Sequence, residues 1–133
     1  VLILCTANSA RSQLAEGLLR HIAGDRLEVH SAGAMPSHVR PEAVAVLAEL
    51  GIDASGQRSK HVNEFAGQRF DFVITVCDSA ARNCPVFPAE TRRIHWSIED
   101  PAAITGDEER RLAGFRRIRD ELAVRLREFA ASL

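Results

Sequence analysis

The sequence lacks a helical membrane span: no apolar run approaches the roughly 20 residues that cross a bilayer, although 46% of the residues are hydrophobic. An excess of one charge is missing too. Seventeen basic against 18 acidic residues leave a net charge of −1, so no broad basic surface argues for nucleic acid and no partner of that kind is expected. Internal repeats and low-complexity segments are absent, and no linker divides the chain. Tyrosine is absent, and tryptophan, methionine and lysine each occur once. The first residue is Val, so a short natural start is expected to be missing. No secretory pattern opens the sequence, and a cytoplasmic protein is expected.

The 133 residues suit one domain over 1–133, with a single core. Three cysteines are present. In the cytoplasm lasting disulfides are rare, and cysteines more often serve catalysis, redox work or metals.

The chain begins with four apolar residues, Val1 to Leu4, which read as a buried strand. Leu14, Leu18, Leu19 and Ile22 then keep the spacing of a helix face. Between strand and helix lies Cys5-x5-Arg11-Ser12. A loop of this kind wraps backbone N–H groups into an anion cradle over a helix N-terminus, where the helix dipole adds positive charge. Arg11 offers a permanent charge and a planar fork of donors that suits two oxygens of one anion. Cys5 sits where that field favours the thiolate. A core cysteine with an unrelated arginine is the plain alternative. The strand-to-helix junction, and Ser12 placed to hydrogen-bond the sulfur, favour chemistry.

Further along, the first helix is expected over 10–23 and a second strand over 27–32. Pro41 opens a helix to Gly51, and a short helical piece follows over 61–66. Buried strands are expected over 70–77 and 92–98, with a brief helix over 78–83 between them. A long final helix spans 107–132, its face marked by Leu112, Phe115, Ile118, Leu122, Leu126 and Phe129. Strands alternating with helices predict an α/β fold, a four-stranded parallel sheet flanked by helices on both faces. Ligands of such sheets bind beyond the carboxyl ends of the strands. Cys5, Cys77 and Asp100 all fall on that rim.

Six residues separate Cys77 from Cys84, which is not the short CxxC spacing of zinc or thioredoxin-type sites, and no second ligand pair completes a metal shell. No metal site is expected. The two cysteines are either inert core residues or, with Cys5, three thiols able to pass a disulfide along. For the second reading, the short helix between them would have to unwind. Asp100 alone reads as an ordinary turn or capping residue before Pro101.

The loop Cys5-Thr6-Ala7-Asn8-Ser9-Ala10-Arg11-Ser12-Gln13, the pair Cys77-x6-Cys84-Pro85 and the segment His95-Trp96-Ser97-Ile98-Glu99-Asp100-Pro101 together resemble the thioredoxin-coupled arsenate reductases. That family shares its fold with the low-molecular-weight protein tyrosine phosphatases. The match runs in order over nearly the whole chain. It implies that arsenate, with phosphate or sulfate as competing oxyanions, is held by Arg11 and the backbone of Thr6, Ala7, Asn8, Ser9 and Ala10. It also implies that Cys5 attacks arsenic while Asp100 acts as the acid, that Cys77 releases arsenite, and that Cys84 resolves the Cys5–Cys77 bond. Thioredoxin would be the reductant, no cofactor is implied, and the working unit would be a monomer. Asn8 would shape the loop, and Ser12 would steady the thiolate.

Two rival readings stay open, a tyrosine phosphatase using Cys5, Arg11 and Asp100 alone, and a thiol redox sensor without catalysis. The absence of tyrosine departs from the phosphatase branch, which usually has aromatic residues beside its acid loop. Ala10 departs from loops that carry a second cysteine. Several reductases of the family bind potassium through side chains matching Asn8, Glu16 and Ser31, completed by a Thr and an Asp. Arg58 and Lys60 stand at the last two positions. Lys60 is therefore expected to serve as a built-in cation that pairs with Glu16 and braces Asn8.

Overall fold

The computed structural model describes residues 1–82 and 87–133. Four short strands, β1 (Leu2–Cys5), β2 (His30–Gly33), β3 (Phe72–Thr75) and β4 (Arg92–His95), form one parallel sheet in the order β2-β1-β3-β4. Each crossover carries helical structure. The α-helices are α1 (Arg11–Ala23), α2 (Pro41–Ala48), α3 (Asp78–Arg82) and α4 (Glu108–Ala131). The order reverses beside β1, because the chain leaves it toward β2 on one side and later returns to β3 on the other. Cys5 ends β1 and Cys77 lies two residues beyond β3, so both flank the crevice at which such sheets bind ligands.

Alternation along the strands divides the core. Val1, Ile3, Cys5, Ile74 and Val76 belong to the larger apolar cluster with Leu14, Leu18, Val46, Leu47, Ile118, Leu122 and Leu126, drawn from α1, α2 and α4. Leu2, Leu4, Ala32 and Val73 belong to a second cluster with Phe65 and Phe70, and Val62, Ala80 and Phe87 pack against it. Helical structure thus covers both faces, but unequally. Three α-helices lie on one, while the other has α3 and a 3-10 turn, Val62–Phe65. Each leucine or isoleucine buried in the larger cluster contributes roughly 1.5–3 kcal/mol. Arg119 ties α4 to α2 by donating to Val46 O and Glu49 Oε1.

Strand boundaries differ from the sequence expectation. The second strand starts at His30 rather than at position 27, because pairing exists only where β1 offers partners, from Leu2↔His30 to Cys5↔Gly33. The fourth ends at His95 rather than at 98, since its ladder with β3 ends at Thr75↔His95. The third shortens to 72–75 for the same reason. α2 stops at Ala48, with a turn to Gly51 whose φ is +77°. The piece expected over 61–66 is 3-10 helix.

Candidate active site

The loop from Thr6 to Ala10 has its carbonyls turned outward and occupied. Thr6 O accepts from Met35 N at 2.9 Å, and Ala7 O accepts from Ser37 N at 3.2 Å and Ser59 Oγ at 2.9 Å. Asn8 O accepts from Gln13 Nε2 at 2.9 Å, and Ser9 O from Arg40 N at 2.9 Å. In a trans peptide the C=O and the following N–H point in opposite directions. The N–H groups of Ala7, Asn8, Ser9 and Ala10 thereby point away from the donors that hold these carbonyls. Ala10 caps α1 without a side-chain hydrogen bond, which leaves the first-turn amides of that helix available to an anion.

Asn8 has φ +48°, the left-handed region that asparagine tolerates better than most residues. Its side chain is saturated. Nδ2 donates to Ser12 Oγ at 2.7 Å and to Ser31 Oγ at 2.9 Å, and Oδ1 accepts from Lys60 N at 2.9 Å. Because Asn8 donates to Ser12, the Ser12 hydroxyl hydrogen is free to point at Cys5 Sγ, 2.9 Å away. Ser31 Oγ in turn donates to Glu16 Oε1. Asn8, Ser12, Gln13, Glu16 and Ser31 are all at most 1% exposed. The sulfur of Cys5 therefore stands at the end of a fixed, buried polar chain.

Lys60 is buried, with Nζ 3.5 Å from Glu16 Oε1 and donating to Arg58 O at 2.9 Å. Glu16 also pairs with Arg20 at 3.0 Å. The expectation that Arg58 and Lys60 both replace ligands is corrected by this geometry. The Arg58 guanidinium turns outward to Glu64, and only its carbonyl faces the network. Asn8 is braced by the backbone of Lys60, not by its ammonium.

Arg11 donates from Nη1 to Ile98 O at 3.0 Å, and its Nη2 lies 3.7 Å from Asp100 Oδ2. Asp100 is also a cap, since Oδ1 accepts from Ala102 N at 3.0 Å at the start of the 3-10 turn Pro101–Ala103. The capping role and the position facing Arg11 are both real, one on each carboxylate oxygen. Cys77 is a buried free thiol whose Sγ lies 3.4 Å from Thr6 Oγ1 and accepts from Ala80 N at 3.3 Å. The second thiol thus touches the residue that follows the first. Cys84 lies outside the described residues. Among the described residues no group of three or more His, Cys, Asp or Glu side chains is arranged to hold a metal ion.

The description low molecular weight phosphotyrosine protein phosphatase matches residues 1–133. The chain belongs to that family. Within the low molecular weight phosphatase family it is 43% identical to the arsenate reductase of Halalkalibacterium halodurans over 98% of this chain and 94% of that one. It resembles a solved arsenate reductase in the phosphate binding state, with TM-score 0.79 and 33% identity over 98% of this chain and 95% of the other. It also resembles a thioredoxin-dependent arsenate reductase of Corynebacterium glutamicum, with TM-score 0.77 and 31% identity, covering 98% of this chain and 59% of that one.

Three positions in this family member carry the loop without being legible as site residues. Gln13 holds Asn8 O and Arg58 O together and is itself held by Gln57 Nε2. Ser59 bridges Ala7 O and Ser37 N. Gly33 lets the end of β2 pass the loop, since a Cβ there would stand 2.4 Å from Thr6 O and 2.6 Å from Cys5 O. Gln13 is the last residue of the loop that carries the resemblance, which is the one available signal. For Ser59 and Gly33 the sequence holds none.

Proposed function

We propose that this chain reduces arsenate to arsenite through Cys5, Cys77 and Cys84, with electrons from thioredoxin. The observation that carries the reading is Cys77. A phosphatase needs one thiol on its anion loop, and here a second free thiol lies against that loop through Thr6 Oγ1.

Arsenate enters the cradle of loop amides, and Arg11 exchanges Ile98 O for arsenate oxygens. The Cys5 thiolate attacks arsenic, and Asp100, facing Arg11, gives a proton to the oxygen that leaves as water. Cys77 then attacks Cys5 Sγ. The Cys5–Cys77 bond forms, and the S–As electron pair stays on arsenic, which departs as arsenite. Cys84 attacks Cys77, Cys5 leaves as a thiolate, and the Cys77–Cys84 disulfide is returned to two thiols by thioredoxin. We take a monomer as the working unit.

The test is arsenate turnover with thioredoxin, thioredoxin reductase and NADPH, followed by arsenite release. Arsenite formed in step with NADPH consumption is expected, with slow hydrolysis of aryl phosphates as a side activity. Aryl phosphate hydrolysis without arsenite would make the chain a phosphatase. Reversible cysteine oxidation with neither activity would make it a thiol sensor.

A further inference from the structure

Between the end of β4 and the start of α4 the chain is laid along α4 itself. Arg125 Cζ stands 6.0 Å from the centre of the Trp96 ring, Arg117 Nη1 lies 3.0 Å from Glu99 Oε2, and Ile104 rests on Gly114. The segment therefore runs antiparallel to the helix. Positions 114, 117 and 125 fall on one side of a helix with 3.6 residues per turn. Asp100 sits between the second and third of these contacts.

The stretch from Asp100 to Ile104 is a single hydrogen-bonded turn. Ala102 N donates to Asp100 Oδ1 at 3.0 Å, Ala103 N to Asp100 O at 3.2 Å and Ile104 N to Pro101 O at 3.2 Å. A shift of Ile104 is thus passed on to Asp100. Gly114 is buried within α4, where glycine weakens a helix relative to alanine. A Cβ there would overlap Ile104 Cδ1 and stand 3.4 Å from its Cγ1. The missing side chain is a notch that the end of the acid turn fills.

We propose that Gly114 is a positioning residue: its notch seats Ile104 and so fixes Asp100 facing Arg11, where Oδ2 and Nη2 are 3.7 Å apart. This rests on the acid role given to Asp100 above. In the step concerned Cys5 Sγ bonds to arsenic, or to phosphorus of an aryl phosphate, as the bond to the leaving oxygen breaks. Asp100 gives that oxygen its proton. Such a transfer has a reach of roughly 2.6–3.2 Å between heavy atoms, so a misplacement of about 1 Å is costly.

The test is kcat/KM for two aryl phosphates, because that constant covers thiolate attack and departure of the leaving group. Phenyl phosphate expels a basic oxygen that needs the proton of Asp100, whereas 4-nitrophenyl phosphate expels one that needs it much less. Gly114→Ala should lower kcat/KM roughly tenfold for phenyl phosphate and less than about threefold for 4-nitrophenyl phosphate. Ile104→Ala, which empties the notch, should do the same, and it decides if Gly114→Ala fails to fold. Gly114→Ala combined with Ile104→Val, which removes the overlapping methyl group, should recover most of the loss. Phosphate should inhibit these variants within about twofold of the parent. Asp100→Asn, measured alongside, should show the same selectivity on a larger scale. Equal losses for both substrates, no loss, weakened phosphate inhibition or no recovery in the combined variant would overturn the seat and leave Asp100 as the acid. Absence of aryl phosphate hydrolysis in the parent, or of selectivity in Asp100→Asn, would overturn the acid role and the seat with it.

Discussion

Ser12 Oγ stands 2.9 Å from Cys5 Sγ, and Asn8 Nδ2 holds the same oxygen at 2.7 Å from the other side. The hydroxyl is thus fixed in position and oriented before any substrate arrives. Ser12→Ala removes the hydrogen bond to the thiolate that the proposed attack requires, worth about 1.5–3 kcal/mol. At neutral pH it should lower arsenate reduction and aryl phosphate hydrolysis together, by roughly 10- to 100-fold. Steady-state kinetics with both substrates check this, and a fall in only one would remove Ser12 from the shared step.

Cysteine variants separate the two halves of the chemistry. Cys5→Ser should abolish both activities, because an unactivated hydroxyl is a far poorer nucleophile near neutral pH. Cys77→Ser and Cys84→Ser should keep aryl phosphate hydrolysis while losing arsenate turnover. The Cys84 variant should stop after one turnover with a Cys5–Cys77 bond, found by peptide mapping. Normal arsenate reduction by both would return these cysteines to the core.

Gly33→Ala places a methyl group against Thr6 O and Cys5 O, backbone atoms that cannot move without distorting the loop. Binding of phosphate as a competitive inhibitor should weaken by at least about tenfold, a loss near 1.4 kcal/mol. Calorimetric titration with phosphate reads it directly, and an unchanged affinity would show that the loop yields freely there.

Lys60 Nζ stands 3.5 Å from the buried Glu16 carboxylate, and it is expected to act there as a built-in cation. Exchanging potassium for sodium at equal ionic strength should change the activity little. Lys60→Ala leaves the buried Glu16 with Arg20 alone and should cost about 1–3 kcal/mol of stability, read from urea unfolding. Strong potassium activation of the parent protein would exclude the built-in cation.

Glu49 accepts from Arg116 and Arg119 of α4, and these bonds, Arg116 first, hold its carboxyl below the ordinary value of 4.5. A depressed value contributes stability that is present above the unfolded value and is lost as pH falls through the folded one. Glu49→Gln should therefore lower the urea midpoint at neutral pH, and the difference from the parent should shrink as the pH falls below the ordinary value of 4.5 and through the folded one. A difference that persisted in acid would trace to packing instead of charge.

The strand-loop-helix opening was legible because an unbroken apolar run, a Cys-x5-Arg spacing and a helix period lie side by side in the first 22 residues. The rim position of Cys77 and Asp100 followed from the alternation of strands and helices. Strand ends were not legible. Leu27 and Val29 alternate like a strand, yet β1 offers no partner before Leu2, and a ladder needs both sides. The outward carbonyls were hidden as well, because their donors, Met35, Ser37, Arg40 and Ser59, come from distant loops with no pattern of their own. Lys60 was placed inward by its resemblance position alone. Arg58, argued in the same way, turned outward because Glu64 lies six residues on and within reach.

The unequal covering of the sheet divides the molecule by how readily its parts open. Behind one face, Ile118, Leu122 and Leu126 of the 24-residue α4 are fully buried in the cluster that α1 shares, and amides there are expected to exchange with solvent only on global unfolding. Over the other face, five-residue α3 and a single 3-10 turn bury far less apolar surface. Its amides will exchange through small local openings, at a rate set by that segment alone. The segment that follows Cys77 can therefore open locally while the scaffold behind the anion cradle stays closed.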